Sequence, residues 1–209
     1  MQISFTLLII VVTVLVSFYA WSNGNIYFGF MMNPYEIFKQ KQYWRFITSG
    51  FIHSGYVHLG FNMFTFYFFG RVVEQIFSYL YGGTVGGLLF VVFYLSALVV
   101  SEIPTAIKNR HFPGYNSLGA SGAVSAMVFA SILYMPLNDI CLFGIICLPG
   151  FILGIIYIIY SYYQGKKGSD NINHEAHLWG AVYGFIFGIL VYPQSFQLFY
   201  EQIISYRVF

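Results

Sequence analysis

Long apolar runs constrain this chain more than any other feature, and the first of them, residues 3–20 (ISFTLLIIVVTVLVSFYA), contains no charged side chain. A spanning helix needs about 20 apolar residues, since each adds about 1.5 Å toward a hydrocarbon core about 30 Å thick. Similar runs cover roughly residues 56–77, 84–101, 118–134, 140–162 and 175–192. With 58% hydrophobic residues, 8% charged residues and a mean hydropathy of +0.71, the chain has too little polar surface to coat a soluble globule. In lipid only helices and closed barrels satisfy every backbone N–H and C=O, and these runs lack the alternation of barrel strands. The expected fold is an all-α membrane protein, one domain over residues 1–209 with six spanning helices and both termini on one side.

No Lys or Arg precedes the first run, and Phe18 spoils a small-residue cleavage pattern at Ala20, so this run reads as a retained helix rather than a signal peptide. Residues 21–55 form a long connection rich in aromatics. It is expected to lie on the membrane surface, with Phe28, Phe30, Met31, Met32, Trp44 and Phe46 at headgroup depth. Pro104 and Pro113 bracket the third loop, Met135-Pro136 stops the fourth helix, and Pro149-Gly150 interrupts the fifth. The polar stretch 164–171 reads as an exposed loop and the tail 194–209 as an interfacial segment. The net charge of +2 without a basic stripe gives no sign of a nucleic-acid partner, and none is expected. Cys141 and Cys147, inside one apolar run, read as two small buried hydrophobes with no disulfide framework. The lack of an internal repeat weighs against a transporter.

Three stretches carry chemistry. In Gly119-Ala120-Ser121-Gly122 the serine opens the fourth helix, where free N–H groups and the positive helix end stabilise a developing oxyanion. Taken alone, the same stretch also suits simple close packing of membrane helices. His177 opens the sixth helix, and Gly180, Gly184 and Gly188 follow on its face, a stripe that lets another helix approach. If that helix is the fourth, His177 reaches Ser121 as a general base; otherwise it serves as a helix cap. His58 and Asn62, four residues apart on the second helix, form a polar pair at membrane depth, expensive unless it lines a site. Both donate hydrogen bonds without bringing a formal charge, as an oxyanion hole requires. No carboxylate lies near Ser121 in sequence, so a Ser–His dyad acting through an acyl-enzyme is the economical arrangement. His174-Glu175-Ala176-His177 falls one residue short of the H-E-x-x-H metal spacing and has no second ligand cluster, so neither metal nor cofactor is expected.

Together these residues resemble the rhomboid family of intramembrane serine proteases, in its six-helix bacterial core form. The family's GxSG is similar to Gly119-Ala120-Ser121-Gly122, its HxxxN to the stretch from His58 to Asn62, and its AHxxG to Ala176-His177-Leu178-Trp179-Gly180. Its first-loop WR resembles Trp44-Arg45 and its second-helix glutamate Glu74. The resemblance implies Ser121 as nucleophile and His177 as base, with His58, Asn62 and the N–H groups of Ala120 and Ser121 holding the oxyanion around Gly119. It further implies a lateral gate formed by the fifth helix and the 163–174 loop, with Phe61 as a gate contact, and a structural Arg45–Glu74 pair. The implied substrate is a membrane-spanning helix, and the implied location is the inner membrane with the site open to the extracytoplasmic side; the oligomeric state stays open. The position one turn after the serine, aromatic in many members, is Ser125 here. Lys39, Lys41, Arg45, Lys108, Arg110, Lys166 and Lys167 all fall in loops one, three and five, leaving Arg71 and Arg207 for the other side. By the positive-inside rule that balance puts the site face in the cytoplasm. An inactive rhomboid-like protein that binds membrane helices is the alternative; such proteins usually lack the serine or the histidine, and both are present.

Overall fold

A computed structural model describes residues 4–142, 144–168 and 170–206. Helix α1 (Phe5–Ser22) buries Thr6, Ile9, Thr13, Ser17 and Ala20, positions that recur every three or four residues. Leu7, Leu8, Val11, Val12, Leu15 and Phe18 point outward and are exposed. Small or weakly polar inside and large apolar outside is the arrangement of a helix bathed in lipid tails. Helices α2 (Gly24–Phe30), α3 (Pro34–Gln40) and α4 (Arg45–Thr48) occupy the first connection, followed by α5 (Tyr56–Tyr81), α6 (Gly83–Asn109) and α7 (Ser121–Tyr134). A hairpin of β1 (Asp139–Leu142) and β2 (Ile146–Pro149) leads to α8 (Gly150–Lys167), α9 (His174–Val191) and α10 (Gln194–Ser205). Among the described residues, α1 and α6 are long and apolar enough to cross a membrane, and α9 with α10, bent by 114°, would make a third span. The chain is thus an all-α membrane bundle with one small hairpin.

Helix α7 forms the centre, with eleven of its fourteen residues buried. Its neighbour α9 approaches to backbone contact: a Cβ built on Gly180 would lie 2.1 Å from the Gly122 carbonyl oxygen, and one on Gly184 2.1 Å from that of Ala126. The glycine stripe of the sixth apolar run therefore faces the helix that carries Ser121. Phe66, Phe77, Phe90, Phe93 and Tyr94 fill the space between α5 and α6 and are fully buried.

Several expectations are corrected. The fifth helix starts at Gly150 rather than 140, because Pro149 has no N–H to give a helix and Gly150 N–H instead bonds back to Asn138 O at 2.9 Å. In the preceding hairpin Cys141 lies opposite Cys147, and the two form a disulfide rather than a pair of buried thiols. Helix α8 also runs on to Lys167, closed by Gly168 in the left-handed region (φ 58°), which shortens the polar loop to 168–173. Helix α6 carries Pro104 within it and continues to Asn109. In the first connection Phe28 and Trp44 are exposed as expected, whereas Met31 and Met32 are buried in the protein. Arg207 lies outside the described residues.

The Arg45–Glu74 pair is not formed. Glu74 sits 18 residues into α5, roughly 27 Å along its axis from Tyr56. There its carboxylate accepts from Ser4 Oγ (2.9 Å) and from Thr6 N–H (3.1 Å) and Oγ1 (2.6 Å), neutralising the positive end of α1. Arg45, at the other end of the bundle, donates to Gln42 Oε1 (2.6 Å), Phe28 O (3.0 Å) and Met31 O (2.7 Å) and so closes the first connection on itself.

The α7–α9 contact has a direct test. Gly184→Val places a Cβ with two methyl groups where the Cβ alone already meets Ala126 backbone, and we expect a loss of about 1–3 kcal/mol or more, read as a lower Tm in detergent. An unchanged Tm would mean that the helices are not in backbone contact.

Candidate active site

Four segments converge at the end of the bundle where α7 and α9 begin. Ser121 is the first residue of α7, so its N–H has no intrahelical acceptor. Gly119, just before it, has φ +114°, and a Cβ there would lie 2.7 Å from the His58 ring, so both backbone conformation and space demand glycine. The His58 imidazole is thus laid against the Gly119–Ser121 turn, with Nδ1 3.1 Å from Ser54 Oγ. Asn62, one turn further along α5, is buried and donates through Nδ2 to the His58 carbonyl at 2.9 Å, which leaves one N–H of its carboxamide. His177 lies in the first turn of α9, drawn toward α7 by the Gly122–Gly180 contact. Among the described residues no hydrogen bond joins Ser121 Oγ to His177; such bonds often tighten only when substrate is bound. Phe61 is exposed on α5.

Sequence reasoning missed two residues here. His53 is fully buried between α1, the first connection and the serine turn. Ala120 N–H donates to its Nε2 (3.3 Å), so Nδ1 carries the proton and gives it to Ser17 Oγ (3.1 Å), whose own hydroxyl donates to Phe51 O (3.0 Å). The Ala120 amide, expected to face an oxyanion, is committed to this relay. The bond from Ala120 requires a neutral imidazole, and burial, with the His58 ring adding to it, lowers the His53 pKa to about 3. The second residue is Tyr157 of α8, whose ring stacks on His177 with centroids 6.4 Å apart and planes 22° apart. The position one turn after the serine, Ser125, carries no ring, and the aromatic against His177 comes instead from α8. Neither residue belongs to a spaced motif, and Tyr157 is one of several tyrosines in its helix, so no sequence signal singles them out.

The turn before α9 is fixed from α6. Buried Glu102 accepts from Asn173 Nδ2 (3.0 Å), while Asn173 Oδ1 caps α9 by accepting from Ala176 N–H (3.1 Å). At the first residue of α9, His174 Nε2 meets the carboxylate of Asp170 in the preceding loop at 3.1 Å. That imidazole and the Ile172 N–H hold the Asp170 carboxyl below its usual range. Among the described residues no three His, Cys, Asp or Glu side chains are grouped as a metal site.

The fold and this cluster define a polytopic membrane protein with a group of polar residues at one end of an apolar bundle. The chain belongs to the rhomboid family: the family's Rhomboid domain model matches residues 40–194. The chain is also similar to RHOMBOID-like protein 12, mitochondrial, of Arabidopsis thaliana, with 31% identity over 163 residues that cover 73% of this chain and 48% of that protein. It therefore spans about half the length of the curated relative it matches.

The His53 relay sets a pH dependence. A folded-state pKa below the unfolded value of 6.5 means that the unfolded chain binds more protons, so stability is full above about pH 6.5 and falls as pH drops toward 3. His53→Gln keeps an acceptor for Ala120 and a donor for Ser17 but does not titrate. We expect its Tm to fall less than that of the native protein between pH 7 and pH 4; parallel curves would show that His53 is not the titrating group.

Proposed function

We propose that the chain is an intramembrane serine endopeptidase that cleaves membrane-spanning helices through a Ser121–His177 dyad. The observation that carries this reading is the backbone-close packing of α7 on α9, which puts the serine turn and the histidine turn at one end of the bundle. Ser121 Oγ attacks the scissile carbonyl while His177 takes its proton. The carbonyl oxygen becomes an oxyanion held by Ser121 N–H, His58 and the free N–H of Asn62. His177 then returns the proton to the leaving amine, and water hydrolyses the acyl-enzyme by the same exchange. Six spanning helices, with α8 and the 168–173 loop as the lateral opening beside Phe61, complete the scheme, and no cofactor takes part.

Charge and redox chemistry favour one membrane orientation and the family resemblance implies the other. The basic residues of loops one, three and five favour a cytoplasmic site face. The Cys141–Cys147 disulfide, beyond the far end of α7, belongs in an oxidising compartment. The resemblance implies an extracytoplasmic mouth. Maleimide tagging in intact membranes decides between them: thiols protected until a reductant is added place the mouth on the cytoplasmic side, and freely tagged thiols place it outside.

Activity is tested with a membrane-helix substrate in proteoliposomes. Ser121→Ala and His177→Ala are each expected to lower cleavage by about 10⁶-fold, to background, with Tm unchanged. Asn62→Ala is expected to cost at most about 10²-fold, since other donors remain. Full cleavage by Ser121→Ala would remove the serine from the nucleophile's role. A folded native protein that binds substrate helices without cutting them would instead establish the inactive, helix-binding alternative.

A further inference from the structure

We infer that Tyr157 is the positioning residue for the His177 imidazole, and that because it is delivered by α8, the base is aligned only while α8 is closed against α7 and α9. This rests on the Ser121–His177 reading above.

Hydrogen-bond directions define how Tyr157 is held. Ser125 Oγ has one proton and gives it to Ser121 O at 2.8 Å, so at the 2.5 Å contact between Ser125 Oγ and Tyr157 the phenol is the donor. Ser125 is buried one turn beyond Ser121 and is too small to reach the histidine. The phenol thus anchors the ring to the nucleophile's own helix turn, and the ring, in turn, lies flat against His177. The edge of His174, 5.7 Å between centroids and 79° between planes, limits the imidazole elsewhere. A ring confined by two aromatic neighbours keeps one rotamer, which a proton-transferring base needs.

Helix α8 is the least embedded long helix. Only Gly150, Gly154 and Ser161 of its 18 residues are buried, whereas Ile155, Ile156, Ile159 and Tyr163 are exposed. Its contact with α7 passes through glycine: the Cβ direction of Gly154 meets Phe129 at 3.5 Å and Ile132 at 3.3 Å. Beside it an apolar cleft of about 270 Å³, lined by Phe129, Ile132, Gly154, Ile155, Ala181 and Phe185, leaves α8 without close packing on that flank. Displacing α8 therefore disturbs little of the core but withdraws the Tyr157 ring and its hydroxyl together. A substrate helix that enters by pushing α8 aside meets a misaligned base, and reclosure restores it.

The test compares Tyr157→Leu, Tyr157→Phe, Gly154→Leu and the double variant Gly154→Leu/Tyr157→Leu with the native protein. The readouts are fluorophosphonate labelling of Ser121, kcat and KM on a helix substrate, and Tm. Tyr157→Leu is expected to lower labelling and kcat by about 10–100-fold with KM and Tm little changed, the scale of a small misplacement of a reacting group. Tyr157→Phe, which keeps the ring, is expected to retain most of the rate. Gly154→Leu, which wedges α8 from Phe129 and Ile132, is expected to slow labelling alone but to add nothing in the Tyr157→Leu background. Native-like labelling by Tyr157→Leu, equal loss in Tyr157→Phe, loss of kcat only in step with Tm, or full additivity of the two Leu changes would each overturn the inference. A native protein that neither labels nor cleaves would instead overturn the Ser121–His177 reading.

Discussion

Backbone contact between α7 and α9 is the constraint on which the rest of the molecule depends. Lipid tails are as apolar as leucine, so helices gain little by hiding from them and associate through close packing and hydrogen bonds instead. Gly180 and Gly184 remove the side chains that would hold the two axes apart, and the carbonyls of Gly122 and Ala126 occupy the space. The contact begins in the first turn of α7 and the first two turns of α9, so the helix starts bearing Ser121 and His177 meet at one end. A valine in place of either glycine would act on the stability of the fold and on the site together.

Three networks gather most of the buried charged and imidazole groups of this bundle, where a medium without water offers no other partners. Glu74 is placed where the free N–H groups of α1 can saturate it. His53 joins α1, the first connection and the serine turn, and its acceptance of the Ala120 N–H works only when the imidazole is neutral. Glu102 and Asn173 tie the start of α9 to α6. The last two networks end within a residue or a few residues of the Ser121 and His177 turns. In this chain the motif residues are thus held by buried polar scaffolding that the motifs themselves do not include.

The division of labour between motif and scaffold explains how the candidate site was legible. Serine between glycines, a histidine followed by glycines every three to four residues, and His58 four before Asn62 are local patterns, and each has its meaning within one helix. Gly119 is required by a single turn and its nearest ring. Arg45 and Glu74 illustrate the opposite case: the resemblance implied that they pair, but 18 residues of helix separate the ends on which they sit. The hairpin after α7 is similar, since Pro149 stops a helix locally whereas the Cys141–Cys147 pairing needs two strands folded back on each other.

Sequence by itself determined the membrane class, the order of the long helices and the local motifs of the candidate site, because hydropathy, helical period and glycine spacing act over one or two turns. Only the tertiary structure decided the partners: which carboxylate caps α1, which amide His53 accepts from, and which aromatic steadies His177. Tyr157 and Ser125 are 32 residues apart, and no local pattern encodes the meeting of side chains on two different helices. It follows from how closely α8 lies against α7 and α9, a distance set by the whole packed bundle.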